Sequence, residues 1–241
     1  MSIYTSFCEK KKQFAVLVDP DHYEVNDLLT LTELAGKSRP SYFFVGGSLL
    51  SQDRLKQTIT VLKDNSDIPV IIFPGDIMQI TGLADGILLL SLISGRNPEF
   101  LIGKHVVAAP FLKRANLEIL PTGYMIIDSG RSTTAMYMSH SLPIPHDKDD
   151  IAVSTAMAGE MLGLRLIYLD GGSGAEKPVT ASMISQVKQN ISVPLIVGGG
   201  IRTPGEAKRS FDAGADVIVV GNAIQDEHNL LMEIAEVAYS I

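Results

Sequence analysis

The sequence predicts an α/β protein of the (β/α)₈ class, a TIM barrel formed by a single domain over residues 1–241. Eight short apolar segments alternate with mostly helical connections, the pattern of a parallel sheet surrounded by helices. The chain has 241 residues, a length that fits one such barrel. The last two apolar segments end in glycine, which is typical of the phosphate-binding loops after strands 7 and 8 of a barrel.

The predicted strands lack polar alternation, as expected of strands that are buried on both faces. They are Phe14–Val18, Tyr42–Val45, Pro69–Phe73, Gly86–Leu90, Gly123–Ile127, Leu166–Leu169, Pro194–Val197 and Val217–Val220. The segment Ile77–Asp85 leaves little room for a full helix. We therefore expect a modified barrel in which one helix is shortened or missing after strand 3. An open doubly wound sheet is the alternative, and it is disfavoured because the G-x-G-x-x-G nucleotide fingerprint is missing.

The helices are predicted from apolar periodicity and from capping residues. Thr203 and Pro204 fit the cap and the first turn of the helix that follows strand 7. The run T-T-A-M-Y-M, residues 133–138, suggests a small extra hairpin. The other predicted helices are Asp27–Ala35, Asp53–Lys63, Ile151–Leu162, one beginning near Gln225, and Glu227–Tyr239 as the closing helix.

Composition and charge narrow the class of protein. Apolar residues make up 46% of the chain and charged residues 20%, so a sizeable core is possible. The single cysteine, Cys8, excludes a disulfide framework and a thiolate metal site and favours a cytoplasmic protein. A formal net charge of −7 argues against nucleic acid as the main partner. No apolar segment has the length of a transmembrane helix.

Two glycine-rich strand ends predict a site for an anion. Gly198, Gly199 and Gly200 follow strand 7, and Gly221 and Asn222 follow strand 8. Glycine allows a ligand to approach the backbone amides closely, and a helix amino terminus favours negative charge. We expect a phosphate group to bind there.

Asp19, in the sequence Asp19-Pro20-Asp21 directly after strand 1, is the best candidate for a metal ligand. Carboxylate and hydroxyl oxygens suit Mg²⁺, which usually shares the phosphates of a substrate. Ser48, at the end of the neighbouring strand, offers a second oxygen. The plainer interpretation is that Asp19 or Asp21 caps the following helix.

The stretch Tyr168–Gly174, which reads Y-L-D-G-G-S-G, places a carboxylate and flexible amides at the end of strand 6. A carboxylate such as Asp170 can orient or deprotonate a substrate hydroxyl, and the glycines allow phosphate to contact the backbone. The plainer interpretation is an ordinary βα loop with solvent-facing charges.

Several motifs in the same order resemble the geranylgeranylglyceryl phosphate synthases. They run from about residue 14 to 224 and are F-A-V-L-V-D-P-D, F-V-G-G-S, F-P-G, L-S-L-I-S-G-R-N-P, P-I-P-x-D-K, A-G-E-M-L-G, Y-L-D-G-G-S-G-A and P-L-I-V-G-G-G-I-R. The resemblance is to the branch with A-G-E-x-L-G and Y-L-E-A-G-S-G-A, rather than to the shorter bacterial heptaprenylglyceryl phosphate synthases.

This resemblance implies a barrel that lacks one full helix and a Mg²⁺-dependent prenyl transfer from geranylgeranyl diphosphate to sn-glycerol 1-phosphate. Asp19 and Ser48 match the Mg²⁺ positions, and Asp170, the candidate catalytic residue, matches a position of the glycerol phosphate site next to the reacting hydroxyl. The matches to the glycerol phosphate site are Tyr168, Leu169, Asp170, Gly171, Gly172, Ser173, Gly174, Gly198, Gly199, Gly221 and Asn222. Two residues depart from the family pattern: Asp170 stands where Glu is usual, and His22 where Lys is common.

Other functions remain open at this point. The prenyl donor could have a different length, such as heptaprenyl diphosphate. A phosphate-binding barrel isomerase or cyclase would share the late glycine loops, and a non-catalytic ligand-binding barrel is the alternative from outside the enzymes. We also expect a homo-oligomer, a dimer or a hexamer, and a transient contact with a membrane surface.

Overall fold

Parallel strands close into a barrel in chain order, with β8 paired to β1, as the sequence predicts. The computed structural model describes residues 2–9, 12–221, 224 and 228–239. The strands are β1 Gln13–Val18, β2 Tyr42–Val45, β3 Val70–Ile72, β4 Gly86–Leu92, β5 Glu118–Ile126, β6 Leu166–Asp170, β7 Leu195–Gly198 and β8 Val217–Val220.

The helices surround the barrel except after β3. They are α1 Ile3–Glu9, α2 Val25–Ser38, α3 Leu55–Asp64, α4 Lys104–Ala115, α5 Thr134–Ser139, α6 Asp149–Met161, α7 Ala181–Asn190, α8 Pro204–Asp212 and α9 His228–Tyr239. A π-helical turn, Glu99–Gly103, leads into α4. Residues 73–85 form turns instead of a helix, which confirms the missing helix predicted after strand 3.

Side chains alternate between two apolar layers along each strand. In β2, Tyr42 and Phe44 point into the barrel, while Phe43 and Val45 point towards the helices. In β6, Tyr168 faces inward and Leu169 outward. This period of two determines which residues at the strand ends reach the inside of the barrel.

The amino-terminal end of the barrel is closed by α1, which the sequence did not predict. Phe7 is buried and stacks on Tyr42 with ring centroids 4.5 Å apart. The Glu118 carboxylate, at the start of β5, accepts hydrogen bonds from the Ile3 and Tyr4 amides at 2.7 and 2.8 Å. These bonds satisfy amides at the helix start that have no partner within the helix.

Residues 134–139 form α5, so the hairpin predicted from the T-T-A-M-Y-M run is wrong. The Thr133 hydroxyl caps this helix by accepting a hydrogen bond from the Met136 amide at 3.4 Å. In contrast, the predicted start of α8 is confirmed. Thr203 caps it with a reciprocal bond to Glu206, and Pro204 occupies its first turn. The predicted start near Gln225 and Glu227 lie outside the described residues.

Within the described part of the chain, no helix combines the length and the apolar character that a bilayer span requires.

Candidate active site

A cavity of about 480 Å³ opens at the carboxyl ends of the strands and collects most of the predicted site residues. Nine of them line it: Asp19, Ser48, Tyr168, Asp170, Gly172, Ser173, Gly174, Gly199 and Gly221. Leu169, Gly171 and Gly198 are not part of its lining. Leu169 packs outward against the helices because it alternates with its inward-facing neighbours. Asn222 lies outside the described residues.

Asp19 occupies one corner of the cavity, beside the end of β2. Its Oδ1 atom accepts a hydrogen bond from the Asp21 amide at 3.0 Å, and Nδ1 of His22 lies 3.6 Å from its Oδ2 atom. A Cβ atom added to Gly47 would lie 2.9 Å from Oδ2, so a larger residue at this position would crowd the oxygen. Burial raises the pKa of Asp19, although the Asp21 amide and His22 act in the opposite direction.

The second carboxylate of this motif has a structural role. Asp21 accepts hydrogen bonds from the Ser51 and Gln52 amides at 2.5 and 3.3 Å, and these bonds lower its pKa against the effect of burial. Asp21 therefore ties the β2–α3 loop to the β1–α2 loop, and Asp19 is the carboxylate that faces the cavity.

The donor set at this corner fits Mg²⁺. It offers the Asp19 carboxylate and the Ser48 hydroxyl, both on the cavity wall. The described residues include no group of three or more His, Cys, Asp or Glu side chains placed to hold a metal ion. A site with one or two protein oxygens matches the preference of Mg²⁺ for water and substrate phosphate as its remaining ligands.

Asp170 is buried at the end of β6, and both of its oxygens accept hydrogen bonds. The Tyr124 hydroxyl donates to Oδ2 at 2.5 Å, and the Gly172 amide donates to Oδ1 at 2.7 Å. Burial raises the pKa of Asp170, and the two hydrogen bonds oppose this rise because they favour the charged form. The carboxylate is thus held in one orientation on the cavity wall.

Three aromatic rings support Asp170 from inside the barrel. The ring centroids of Tyr124 and Tyr168 are 5.5 Å apart, and the Phe73 ring lies 5.8 and 5.4 Å from them. A Cβ atom on Gly198 would come within 2.5 Å of the Tyr168 hydroxyl. Gly198 therefore makes room for Tyr168, which gives this glycine a packing role.

The glycine loops after β6 and β7 pack backbone against backbone. Gly199 has a φ of +81°, and a Cβ atom there would come within 2.6 Å of the Gly172 amide nitrogen. Arg202, which also lines the cavity, donates to the Ala175 carbonyl at 2.6 Å and joins the two loops. Backbone amides and a cation at the start of α8 suit a phosphate group.

An apolar arm of the same cavity runs outside the barrel, between β4 and α4. It lies where the helix after β3 is missing. Its wall is formed by Ile77, Ile80, Ile87, Leu89, His105, Ala108 and Leu112. Burial lowers the pKa of His105, so its imidazole is uncharged at neutral pH. The ion pair of Lys104 and Asp76, 2.8 Å between Nζ and Oδ2, lies on the wall of the same cavity.

Comparison with known proteins agrees with this geometry. The model of the PcrB family matches residues 7–238. The chain belongs to the PcrB family. It is 52% identical to the geranylgeranylglyceryl phosphate synthase of Spirosoma linguale, over 94% of this chain and 91% of the relative. It is 49% identical to the synthase of Chitinophaga pinensis, over 99% of this chain and 96% of that relative.

A solved structure supports the same assignment to this PcrB family. It is the (S)-3-O-geranylgeranylglyceryl phosphate synthase of Thermoplasma acidophilum in complex with its substrate sn-glycerol-1-phosphate. It superposes with a TM-score of 0.94 at 31% identity and covers 100% of both chains. The closed barrel is therefore shared with an enzyme that binds a small phosphorylated alcohol.

Proposed function

We propose that this protein transfers a geranylgeranyl group from its diphosphate to sn-glycerol 1-phosphate, forming an ether and releasing diphosphate. One observation carries the proposal: a single cavity joins the Asp170 carboxylate and the glycine loops to a long apolar arm outside the barrel. A phosphorylated alcohol fits the first part, and a prenyl chain fits the second. The synthases to which the chain is similar carry this activity in their names.

Glycerol phosphate would bind with its phosphate against the loops at Gly172–Gly174 and Gly199–Gly200, close to Arg202. Its free terminal hydroxyl would then point towards Asp170. Holding both reactants on one wall supplies much of the rate, because it replaces an encounter in solution by a fixed approach.

The diphosphate would lie at the opposite corner, near Asp19, Ser48 and Lys104. Asp19 and Ser48 follow the ends of β1 and β2, and Lys104 on α4 pairs with Asp76, which follows β3. The loops after β2 and β3 touch, since a Cβ atom on Gly75 would lie 2.3 Å from the Gly47 carbonyl oxygen. Asp19 and Ser48 would hold Mg²⁺, which when bound supplies positive charge to neutralise the leaving diphosphate. Lys104 adds a cation to the cavity wall. His22, on the same wall, stands where the synthase family commonly has Lys.

The bonds and charges of the reaction balance. The hydroxyl oxygen forms a bond to the first carbon of the prenyl chain, and the bond from that carbon to diphosphate breaks. The electron pair leaves with diphosphate, and the hydroxyl proton passes to the Asp170 carboxylate. Aromatic rings would line the reacting centre and keep water from the allylic carbon. They are those of Phe73, Tyr124 and Tyr168, which contact one another.

The test is incubation of the purified protein with Mg²⁺, radiolabelled sn-glycerol 1-phosphate and geranyl, farnesyl, geranylgeranyl or heptaprenyl diphosphate. We expect label in the organic phase, with geranylgeranyl diphosphate as the preferred donor. The matched control is sn-glycerol 3-phosphate, which should react poorly. A preference for heptaprenyl diphosphate would change the proposed donor, and an absence of lipid product with every donor would overturn the proposal.

A further inference from the structure

Tyr124 and Asp170 form a buried hydrogen-bonded pair on the neighbouring strands β5 and β6. The reaction proposed above uses the Asp170 carboxylate and the Tyr124 ring, but not the Tyr124 hydroxyl. Tyr124 pairs in register with Tyr168, and Ile126 with Asp170, so the Tyr124 side chain reaches one step along the barrel to meet Asp170. Its hydroxyl donates to Oδ2 at 2.5 Å. The Tyr124 ring makes T-shaped contacts with the rings of Phe73 and Tyr168, which fix its position.

We propose that Tyr124 is a positioning residue, whose hydroxyl keeps the Asp170 carboxylate ionised and turned towards the glycerol hydroxyl. This inference rests on the proposed function. A carboxylate without partners in a buried site takes up a proton and can no longer accept one from a substrate. The Tyr124 hydroxyl and the Gly172 amide are the donors that stabilise its charge.

The Asp170 carboxylate can accept a further hydrogen bond, from the hydroxyl of a substrate. Each carboxylate oxygen can accept two hydrogen bonds, and the structure uses one on each. The titratable side chains that face Asp170 are Tyr124 and Tyr168, and burial raises the pKa of both phenols so far that they stay neutral. Tyr124 therefore acts as a fixed donor and does not take the substrate proton itself.

The first test measures the protonation of Asp170 directly. Protein labelled with carbon-13 at aspartate side-chain carboxyls is titrated by NMR, and Asp170→Asn assigns the signal. Tyr124→Phe removes the hydroxyl but keeps the ring. We expect the pKa of Asp170 to rise by about one to two pH units, the value of one hydrogen bond to a charged group. An unchanged titration in Tyr124→Phe would overturn the proposal.

The matched control is Tyr42→Phe. Tyr42 is also a buried barrel tyrosine, but its hydroxyl bonds to Ser6 and Gln13 near the closed end of the barrel, at 2.9 and 2.8 Å. It should leave the Asp170 signal unmoved. Because this titration needs no turnover, it gives a result even if the protein proves not to be the proposed synthase.

The second test uses the pH profile of prenyl transfer. In Tyr124→Phe the acidic limb of the kcat profile should move to higher pH by the same amount as the pKa of Asp170. At alkaline pH, kcat should recover towards the wild-type value. KM for glycerol phosphate should change little. Adding Tyr124→Phe to Asp170→Asn should have almost no further effect on kcat. A uniform loss at all pH values, or additive losses in the double variant, would show that Tyr124 acts independently of Asp170.

Discussion

At the scale of single residues, the site depends on two carboxylates with different surroundings. Asp19 has one oxygen left accessible by Gly47, which suits a metal ion. Asp170 has a hydrogen-bond donor on each oxygen, which suits acceptance of a proton from a bound hydroxyl. Burial raises the pKa of both groups. Activity that needs them ionised should therefore fail, as pH falls, at a higher pH than for an exposed aspartate.

Asp170→Asn tests the role of the carboxylate as a proton acceptor. The amide keeps the shape of the side chain but cannot take the proton, so kcat should fall by roughly 10²–10⁴-fold. KM for glycerol phosphate should change little, because the proposed phosphate contacts lie in the glycine loops. Asp170→Glu should retain most activity. Steady-state kinetics that showed a near-normal kcat for the Asn variant would mean that Asp170 only positions the substrate.

Asp19→Asn tests the metal site. Loss of the negative charge should abolish the stimulation of prenyl transfer by Mg²⁺ while the fold, measured by circular dichroism, stays intact. The control is Asp21→Asn, since Asp21 bonds to the Ser51 and Gln52 amides rather than facing the cavity. Its half-saturating Mg²⁺ concentration should equal that of the wild type. An unchanged Mg²⁺ response in Asp19→Asn would remove Asp19 from the site.

Residues that follow strands could be predicted as site residues from the sequence, because parallel strands bring their carboxyl ends to one face. This reasoning found Asp19, Ser48 and Asp170. It missed Tyr124, although the inward alternation of β5 and the register with β6 were the signal that could have found it. Lys104 and Arg202 carried no such signal, since their places depend on the π-helical turn and on loop packing.

At the scale of elements, α1 covers the end of the barrel opposite the candidate active site. Phe7→Ala should lower the free energy of unfolding by about 3–5 kcal/mol, because it leaves a cavity against Tyr42. The measurement is urea unfolding followed by circular dichroism. At a temperature where both proteins are folded, kcat should be unchanged, since the cavity lies at the other end of the strands.

The control for this prediction is Phe111→Ala, which truncates the same residue type on α4 where it is 53% exposed. Its effect on unfolding should be small beside that of Phe7→Ala. Equal effects of the two substitutions would contradict the assignment of α1 as a structural part of the barrel.

The strands were more predictable than the short helices. A buried strand of a parallel sheet is a continuous apolar run, and that pattern identified all eight strands. The short helices α1 and α5 are stabilised by hydrogen bonds at their starts and by packing against the barrel. With 7 and 6 residues, they are too short to show the apolar periodicity of a helix. For α5, the Thr133 cap was the available signal, and the run of alternating residues after it was misleading.

At the scale of the whole molecule, the apolar arm of the cavity lies where a helix is missing after β3. The proposed function assigns this groove to the prenyl chain. The cavity reaches from the barrel end to the side of α4, and Ala108 is a small residue on its wall. Ala108→Phe should narrow the groove. Activity with the long donors, heptaprenyl and geranylgeranyl diphosphate, should fall relative to activity with farnesyl diphosphate, by at least about tenfold. A tenfold change corresponds to the free energy of burying one or two methylene groups.

The matched control is Val107→Phe, one position along the same helix, where the side chain is 53% exposed. It should leave donor preference unchanged. If both substitutions, or neither, alter the preference among prenyl diphosphates, the groove does not hold the prenyl chain.

The outer surface of α4 bears on the oligomeric state, which stays a prediction. Val106, Val107 and Phe111 on α4, and Ile102 in the π-helical turn before it, are all more than half exposed. Exposed apolar groups of this kind often meet another subunit. Light scattering of the purified protein measures whether it is a monomer, a dimer or a hexamer.

The most direct test of the central claim follows the oxygen atom of the ether. sn-Glycerol 1-phosphate labelled with oxygen-18 at its terminal hydroxyl is incubated with geranylgeranyl diphosphate and Mg²⁺, and both products are analysed by mass spectrometry. We predict an ether lipid that retains the label, with unlabelled diphosphate released in equal amount. Release of diphosphate with unlabelled prenyl alcohol, or no consumption of the donor, would contradict prenyl transfer as the function of this cavity.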